Sequence, residues 1–305
     1  MKPAALTLFF GLTLCASGQK FIDLANVYWR TSPENSLLGT TDKIDFNTYA
    51  FDAKLPIVLN DKTALIFGFD VANNSINNVS ANESWVFSNV VLQIGVEQKW
   101  NDNIKTIAMI LPKLSSNFTG GIGSNDFQLG GVFYNTKKRS DKFEWKYGAY
   151  VNGELFSVMV VPLFGFNWQM NDKWKMKTML PVNLEITRVM NKKWIAGFLF
   201  IGANASYNLS QQINPNTIYP TNQNPYMDKA DNNAWLYSDI YITKNLVLNL
   251  KAGHSVLRKY RIYDKDDKLG LKIGPVNIGD NRFETPNLLE NGWSFETRLI
   301  FRLPL

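Results

Sequence analysis

Apolar and polar residues alternate along most of this chain with a period of two, the period of an extended strand whose successive side chains face opposite sides. In residues 143–154 (FEWKYGAYVNGE), Phe143, Trp145, Tyr147, Ala149 and Val151 share one face. Glu144, Lys146, Gly148, Tyr150 and Asn152 share the other. Residues 293–303 set Trp293, Phe295, Leu299, Phe301 and Leu303 against Ser294, Glu296, Arg298 and Arg302. Residues 246–255 set Leu246, Leu248, Leu250 and Ala252 against Asn249, Lys251 and Ser255.

Two kinds of connection separate these segments. One is tight and polar: 60–62, 101–103, 171–173, 191–193 and 243–245, with a slightly longer member at 137–142. Asn and Asp suit such hairpins because their side chains bond the local backbone. The other kind is often long (32–43, 73–84, 116–124, 209–231 and 262–290), with short members near 154–156 and 181–183. Short turns alternating with longer loops are the hairpin pattern of an outer-membrane barrel, the short turns facing the periplasm.

The expected strands are 21–31, 44–56, 62–73, 84–100, 104–115, 125–136, 143–153, 156–170, 173–181, 183–190, 194–208, 232–243, 246–261 and 291–303. The expected fold is therefore all-β, an antiparallel up-and-down transmembrane β-barrel of about fourteen strands, with about twelve as the next even choice if the pair 173–190 is miscounted. A soluble sheet protein shows the same alternation. These strands are longer than the roughly 5–6 residues of soluble sheets. Trp85, Trp100, Trp168, Trp174, Trp194 and Trp293 also sit near strand ends, as an interfacial girdle requires.

The N-terminus fits export. Lys2, the short apolar run 4–14 and the small residues Ala16, Ser17 and Gly18 read as a signal peptide cleaved after residue 18, leaving 19–305 as a single barrel domain. Past it, no stretch approaches the roughly 18–20 apolar residues of a membrane helix. Cys15, the only cysteine, lies in the removed segment, and Leu14 before it disfavours a lipoprotein anchor. Net charge is +6 with both signs spread evenly, which gives no footing for nucleic acid.

Candidate chemistry is sparse. His254, the only histidine, shares the apolar face of Leu248, Leu250 and Ala252, away from any polar partner set. No catalytic residue, metal site or cofactor is expected, and the chain does not read as an enzyme. Asp264, Asp266 and Asp267 resemble the start of a calcium loop, but Lys268 and Leu269 stand where an acceptor and a glycine are needed. The expected lumen lining carries both charges: Asp52, Lys54, Asp70, Glu97, Lys99, Glu144, Lys146, Lys175, Lys177, Glu185, Asp239, Lys251, Glu296, Arg298 and Arg302.

The stretches NDFQLGG (125–131), KYGAYVNGELF (146–156), VPLFGF (161–166) and RKYRIYDKDDKLGL (258–271), followed by GDNR (279–282), resemble an uncharacterised family of outer-membrane β-barrel proteins from the Bacteroidota. Ser157-Val158 departs from the Gly-Pro of that pattern, and the chain ends in Leu305 rather than an aromatic residue. The resemblance implies fold and location and brings no activity. Tyr260, Arg261, Tyr263, Asp264, Asp266, Asp267, Asp280 and Arg282 are the expected extracellular-loop residues.

The expected setting is the outer membrane of a Gram-negative bacterium, with both termini periplasmic. The expected partners are outer-membrane lipid, the barrel-assembly machinery during insertion and a small solute of unknown identity. Passage or binding of that solute through a polar lumen is the leading function. A non-transporting structural or adhesion barrel acting through its loops is the alternative, and an outer-membrane hydrolase is a third.

Overall fold

The computed structural model describes residues 21–36, 43–80, 83–209, 225–282 and 287–304. The signal segment 1–18 and most of the 209–231 connection lie outside them. The strands run β1 (Phe21–Ser36), β2 (Lys43–Val58), β3 (Thr63–Ser80), β4 (Glu83–Lys99), β5 (Ile104–Ser116), β6 (Phe127–Ser140), β7 (Phe143–Glu154) and β8 (Ser157–Gln169). They continue as β9 (Trp174–Met179), β10 (Asn183–Asn191), β11 (Trp194–Asn208), β12 (Tyr226–Tyr241), β13 (Leu246–Tyr263), β14 (Leu269–Ile273), β15 (Val276–Asp280) and β16 (Trp293–Pro304).

Each of β1–β13 pairs antiparallel with its sequence neighbour, and β16 joins β13 to β1, so 14 strands close an all-β barrel. β14 and β15 form an extra hairpin hung on β8.

The tight connections gather at one end and close as their sequence dictates. Asn60 Oδ1 accepts from the Lys62 and Thr63 amides, each at 2.9 Å. Asn101 does the same for Asn103 and Ile104, and Asn171 for Lys173 and Trp174. Thr243 Oγ1 takes the amides of Asn245 and Leu246. Each side chain thus satisfies the donors that a two-residue reversal leaves over.

The period-two pattern sorts into two faces. Outward residues such as Val27, Phe51, Phe69, Phe133, Leu250 and Leu299 are exposed, while Asn26, Ala50, Asn249 and Ile300, adjacent to four of them, are buried. An apolar exterior around polar inward positions is the inverse of a water-soluble barrel, and it fits a bilayer, where closure leaves no unpaired strand edge. His254 points outward among these residues, its ring 5.3 Å from that of Trp293 in an edge-on contact. Among the described residues, no helix is long and apolar enough to cross a membrane.

Four expectations need correction. The 262–290 connection contains the β14–β15 hairpin, in which Leu269 and Lys272 alternate with exposed residues. β12 begins at Tyr226 rather than 232, because the turn-like residues Asp228 and Asp231 find cationic partners that hold them in a strand. β3 and β4 extend to Ser80 and from Glu83, so most of the connection expected at 73–84 is strand. Tyr260, Arg261 and Tyr263, expected in a loop, belong to β13; Tyr260 is fully buried in the interior.

Candidate functional site

The interior is the site, and it differs along the barrel axis. Toward the short turns, the inward charges of β4–β10 stay half-exposed, while Arg302 and Asp239 on the other side are buried. Lys105 pairs with Glu97 at 3.3 Å and Lys177 with Glu185 at 3.6 Å, while Glu144 accepts from Asn167 at 2.9 Å. Lys146 and Lys175 stand on the same inner wall, Lys54 is exposed there, and Lys99 meets Asp102 at the turn. Asp52 and Asp70 are opposite each other in the β2–β3 register and accept from Asn26 and Asn89. Arg302 reaches Asp23 at 2.5 Å and Asp239 at 2.9 Å.

Deeper in, one carboxylate holds three cations. Glu296, its side chain fully buried, meets Arg30 at 2.7 Å, Lys251 at 2.7 Å and Arg298 at 2.9 Å. A buried ion is tolerable only with such partners, because desolvation costs several kcal/mol per charge. Arg298 also lies over the Tyr28 ring at 4.2 Å. Above this cluster, Arg258 pairs with Asp231 at 3.3 Å and donates to Ser32, Asn35 and Ser294.

At the long-loop end the barrel wall folds inward. Low on β11 and β12, outward Trp194, Ile240 and Leu236 are exposed, Leu236 at 69%. Higher up, residues of the same parity are buried: Ser206 at 0% and Tyr226 at 2%. Their partners explain the burial. The Ser206 amide and hydroxyl donate to Glu154 at 2.7 and 2.6 Å, and Glu154 pairs with buried Lys113 at 3.0 Å. Ser115 and Gln128 donate to the Ser206 carbonyl, and Asn208 pairs with Ser116 of β5 across the barrel.

The inner face of the same leaning sheet packs on the opposite wall. Tyr207, Met227, Tyr260 and Ile262 meet Ile44, Phe46, Ile76 and Phe87, with Leu288 and Leu289 added from the last connection. The Tyr207 and Phe87 rings are 4.7 Å apart, and the Lys229 ammonium sits 5.2 Å from the Phe46 ring and 5.3 Å from the Tyr260 ring. The leaning tops of β11–β13 therefore stand as a middle layer between two walls and close the lumen at this end.

The remaining loop candidates gather around the extra hairpin. Asp267 accepts from Tyr226 through its carbonyl at 2.5 Å, and Asp264 and Asp266 stand in the same turn. Arg282 binds Asp280 at 2.8 Å and Asp228 at 3.2 Å and covers the Tyr263 ring at 4.0 Å. Its guanidinium bonds hold the Asp280 carboxyl down at about 2. Among the described residues, no group of three His, Cys, Asp or Glu side chains is placed to hold a metal ion.

Sequence reasoning missed Arg30, Lys113, Glu154, Asp231 and Arg258. Arg258 was hidden by a bulge: Asn232 pairs with Leu257 and Asn233 with Ser255, so Val256 is an extra residue and parity flips. The successive apolar pair Val256-Leu257 was the available signal.

No curated protein matches the sequence. Among solved structures, the chain is similar to the COG4313 outer membrane channel from Pseudomonas putida F1, with 8% identity over 97% of this chain and 100% of that one and a TM-score of 0.49. It is similar to the NanC porin at 9% identity over 92% and 100% of the two chains, with a TM-score of 0.39. For the Pseudomonas putida toluene transporter TodX the values are 12% identity, 92% and 89% of the two chains and a TM-score of 0.35. At these values the barrel assignment rests on this chain's own register and apolar belt, which make it an outer-membrane β-barrel. A family profile described as Domain of unknown function (DUF6268) matches residues 40–270, most of the length, and the chain belongs to that family.

Proposed function

We propose that the protein is a gated passage for a small solute, closed in this state by the leaning tops of β11–β13. One observation carries this reading. The charged inner wall of β5, β7, β9 and β10 remains half-exposed from the short turns inward, ending against a closure held by side-chain bonds rather than by a separate plug domain. A barrel of this strand number encloses room for a water-filled path. The short turns face the periplasm in this reading, with the long connections outside.

Single-channel recording of the purified protein in a planar bilayer tests it. Conductance is expected in brief openings. Fixed charge lining a pore sets its ion preference, so reversing Lys146, Lys175 and Lys177 to Glu is expected to shift permeability clearly toward cations. Heat-modifiable, folded protein that never conducts would retire the passage and leave a structural barrel acting through its loops. Orientation is checked on intact cells: a cysteine at Lys265 is expected to react with an impermeant reagent, and one at Asp102 or Asn245 is not.

A further inference from the structure

The barrel wall has a gap between β8 and β11. β9 has six residues and meets β8 only across Asn167–Gln169, plus one bridge between Phe164 and Leu180. β10 meets β11 only as far as Asn183 opposite Ile201, with one further bond from the Gly202 amide to Val182. Beyond that level, among the described residues, β8 from Ser157 to Leu163 has no barrel strand on this edge. The top of β11 has meanwhile leaned away into the lumen.

The β14–β15 hairpin stands in the gap. Its hold on β8 is two register pairs, Lys272 with Met159 and Ile273 with Val160, against the twelve that join β7 to β8. Bonds from the Leu269 amide to Phe156, from the Gly274 amide to Val160 and from the Ser157 hydroxyl to Gly270 complete it. On the β11 side, Lys272 Nζ reaches Asn204 at 3.0 Å. β15 is exposed along its whole length.

Behind the hairpin the inner face changes chemistry. β8 turns Met159, Val161 and Leu163 inward, and Tyr150, Met179 and Val182 pack with them, against the charged lining found elsewhere. Leu269 of β14 closes over this cluster. Outside, Leu180 at the lower margin and Ile273, Val276 and Ile278 on the hairpin are exposed and apolar.

We propose that this gap is a lateral opening, with the β14–β15 hairpin as its shutter, through which a small apolar molecule exchanges between the bilayer and the lumen. The inference rests on the passage reading above and adds the route and the class of solute. An apolar solute replaces Leu269 against Met159 and Val161 without exposing them to water, so opening forfeits little hydrophobic burial. A polar solute would find little beyond tyrosine hydroxyls on that cluster and would lose most of its hydration.

The test is a reversible staple, V160C/I273C, joining register partners on neighbouring strands within disulfide reach. Uptake of the apolar fluorophore N-phenylnaphthylamine is followed across the outer membrane of cells carrying the protein, and entry of a small sugar by liposome swelling. Oxidation is expected to cut fluorophore uptake at least fivefold, with reduction restoring it and sugar entry unchanged. A second variant, V161W, narrows the route inside the shutter and is expected to lower fluorophore uptake alone. Fluorophore uptake equal in the oxidised and reduced protein, with sugar still entering, would overturn the lateral opening and spare the axial passage. Entry of neither probe would overturn both.

Discussion

β7, β8 and β11 each run the length of the barrel, and each changes character between its ends. Near the short turns β7 offers Glu144 and Lys146 to a lumen that water reaches, and the inward Asn167 of β8 answers Glu144. Near the long connections β7 offers Glu154, buried and bound by Lys113 and Ser206, and β8 offers Met159 and Val161 to an apolar cluster. β11 carries an exposed outer face at Trp194 and a buried one at Ser206. The difference is one of solvent. A charge left half in water costs little wherever it points, so the lower wall tolerates a loose set of pairs along β4–β10. A charge taken out of water needs a full set of partners, so the upper half is a packed and bonded layer.

The sharpest way to break this comparison is at the boundary between the halves. Glu296→Ala leaves Lys251 and the half-buried Arg30 and Arg298 with no carboxylate among them, and is expected to cost about 3–5 kcal/mol, the range for removing one partner of a buried ion pair. Urea titration of the folded band on cold gels measures it. A loss under about 1 kcal/mol would place that cluster in water, like the lower wall.

Glu154→Gln comes next. It keeps the shape and an acceptor for Ser206 but strips Lys113 of its counter-charge, with an expected loss of about 2 kcal/mol. Hydrogen exchange at residues 204–208 is expected to quicken, while that of 144–148 stays as in the parent. Equal acceleration at both ends would show one cooperative interior rather than two.

In the lower half, Lys177→Ala removes a half-exposed partner of Glu185 and is expected to change stability by about 0–1 kcal/mol in the same titration. The smallest effect belongs to the hairpin. Arg282 holds the Asp280 carboxyl at about 2, below its unfolded value, so its contribution is complete above the ordinary carboxylate range and is lost as pH falls through about 2. Exchange at 276–280 is expected to be flat from neutral pH down through the ordinary carboxylate range in the parent, once the intrinsic pH dependence is removed, and faster throughout in Asp280→Asn.

The strands were legible because each face meets one solvent for most of its length, and period-two alternation records that contrast directly. The turns were legible because Asn60, Asn101 and Asn171 carry the acceptor the reversal needs. The fold-in of β11–β13 was not. In Gly202-Ala203-Asn204-Ala205-Ser206 the side chains are small on both faces, so alternation loses its contrast where the sheet leaves the wall. The hairpin went unread because five-residue strands edged by Gly274, Gly279 and Asp280 look like a loop until β8 supplies an edge. Resemblance to barrel proteins pointed to architecture and location, while the lumen chemistry came from the contacts.

The order of the seam has a consequence for assembly. β16 follows the other described strands in chain order, and it lies between β1 and β13, the sources of Arg30 and Lys251. It brings Glu296 with it. Until it docks, the interior holds those two cations at an open edge with no answering carboxylate. Zipping Trp293–Pro304 into place therefore closes the cylinder and gives those two cations their shared carboxylate in one event. A chain without that strand in place would carry both an unsatisfied edge and unsatisfied cations.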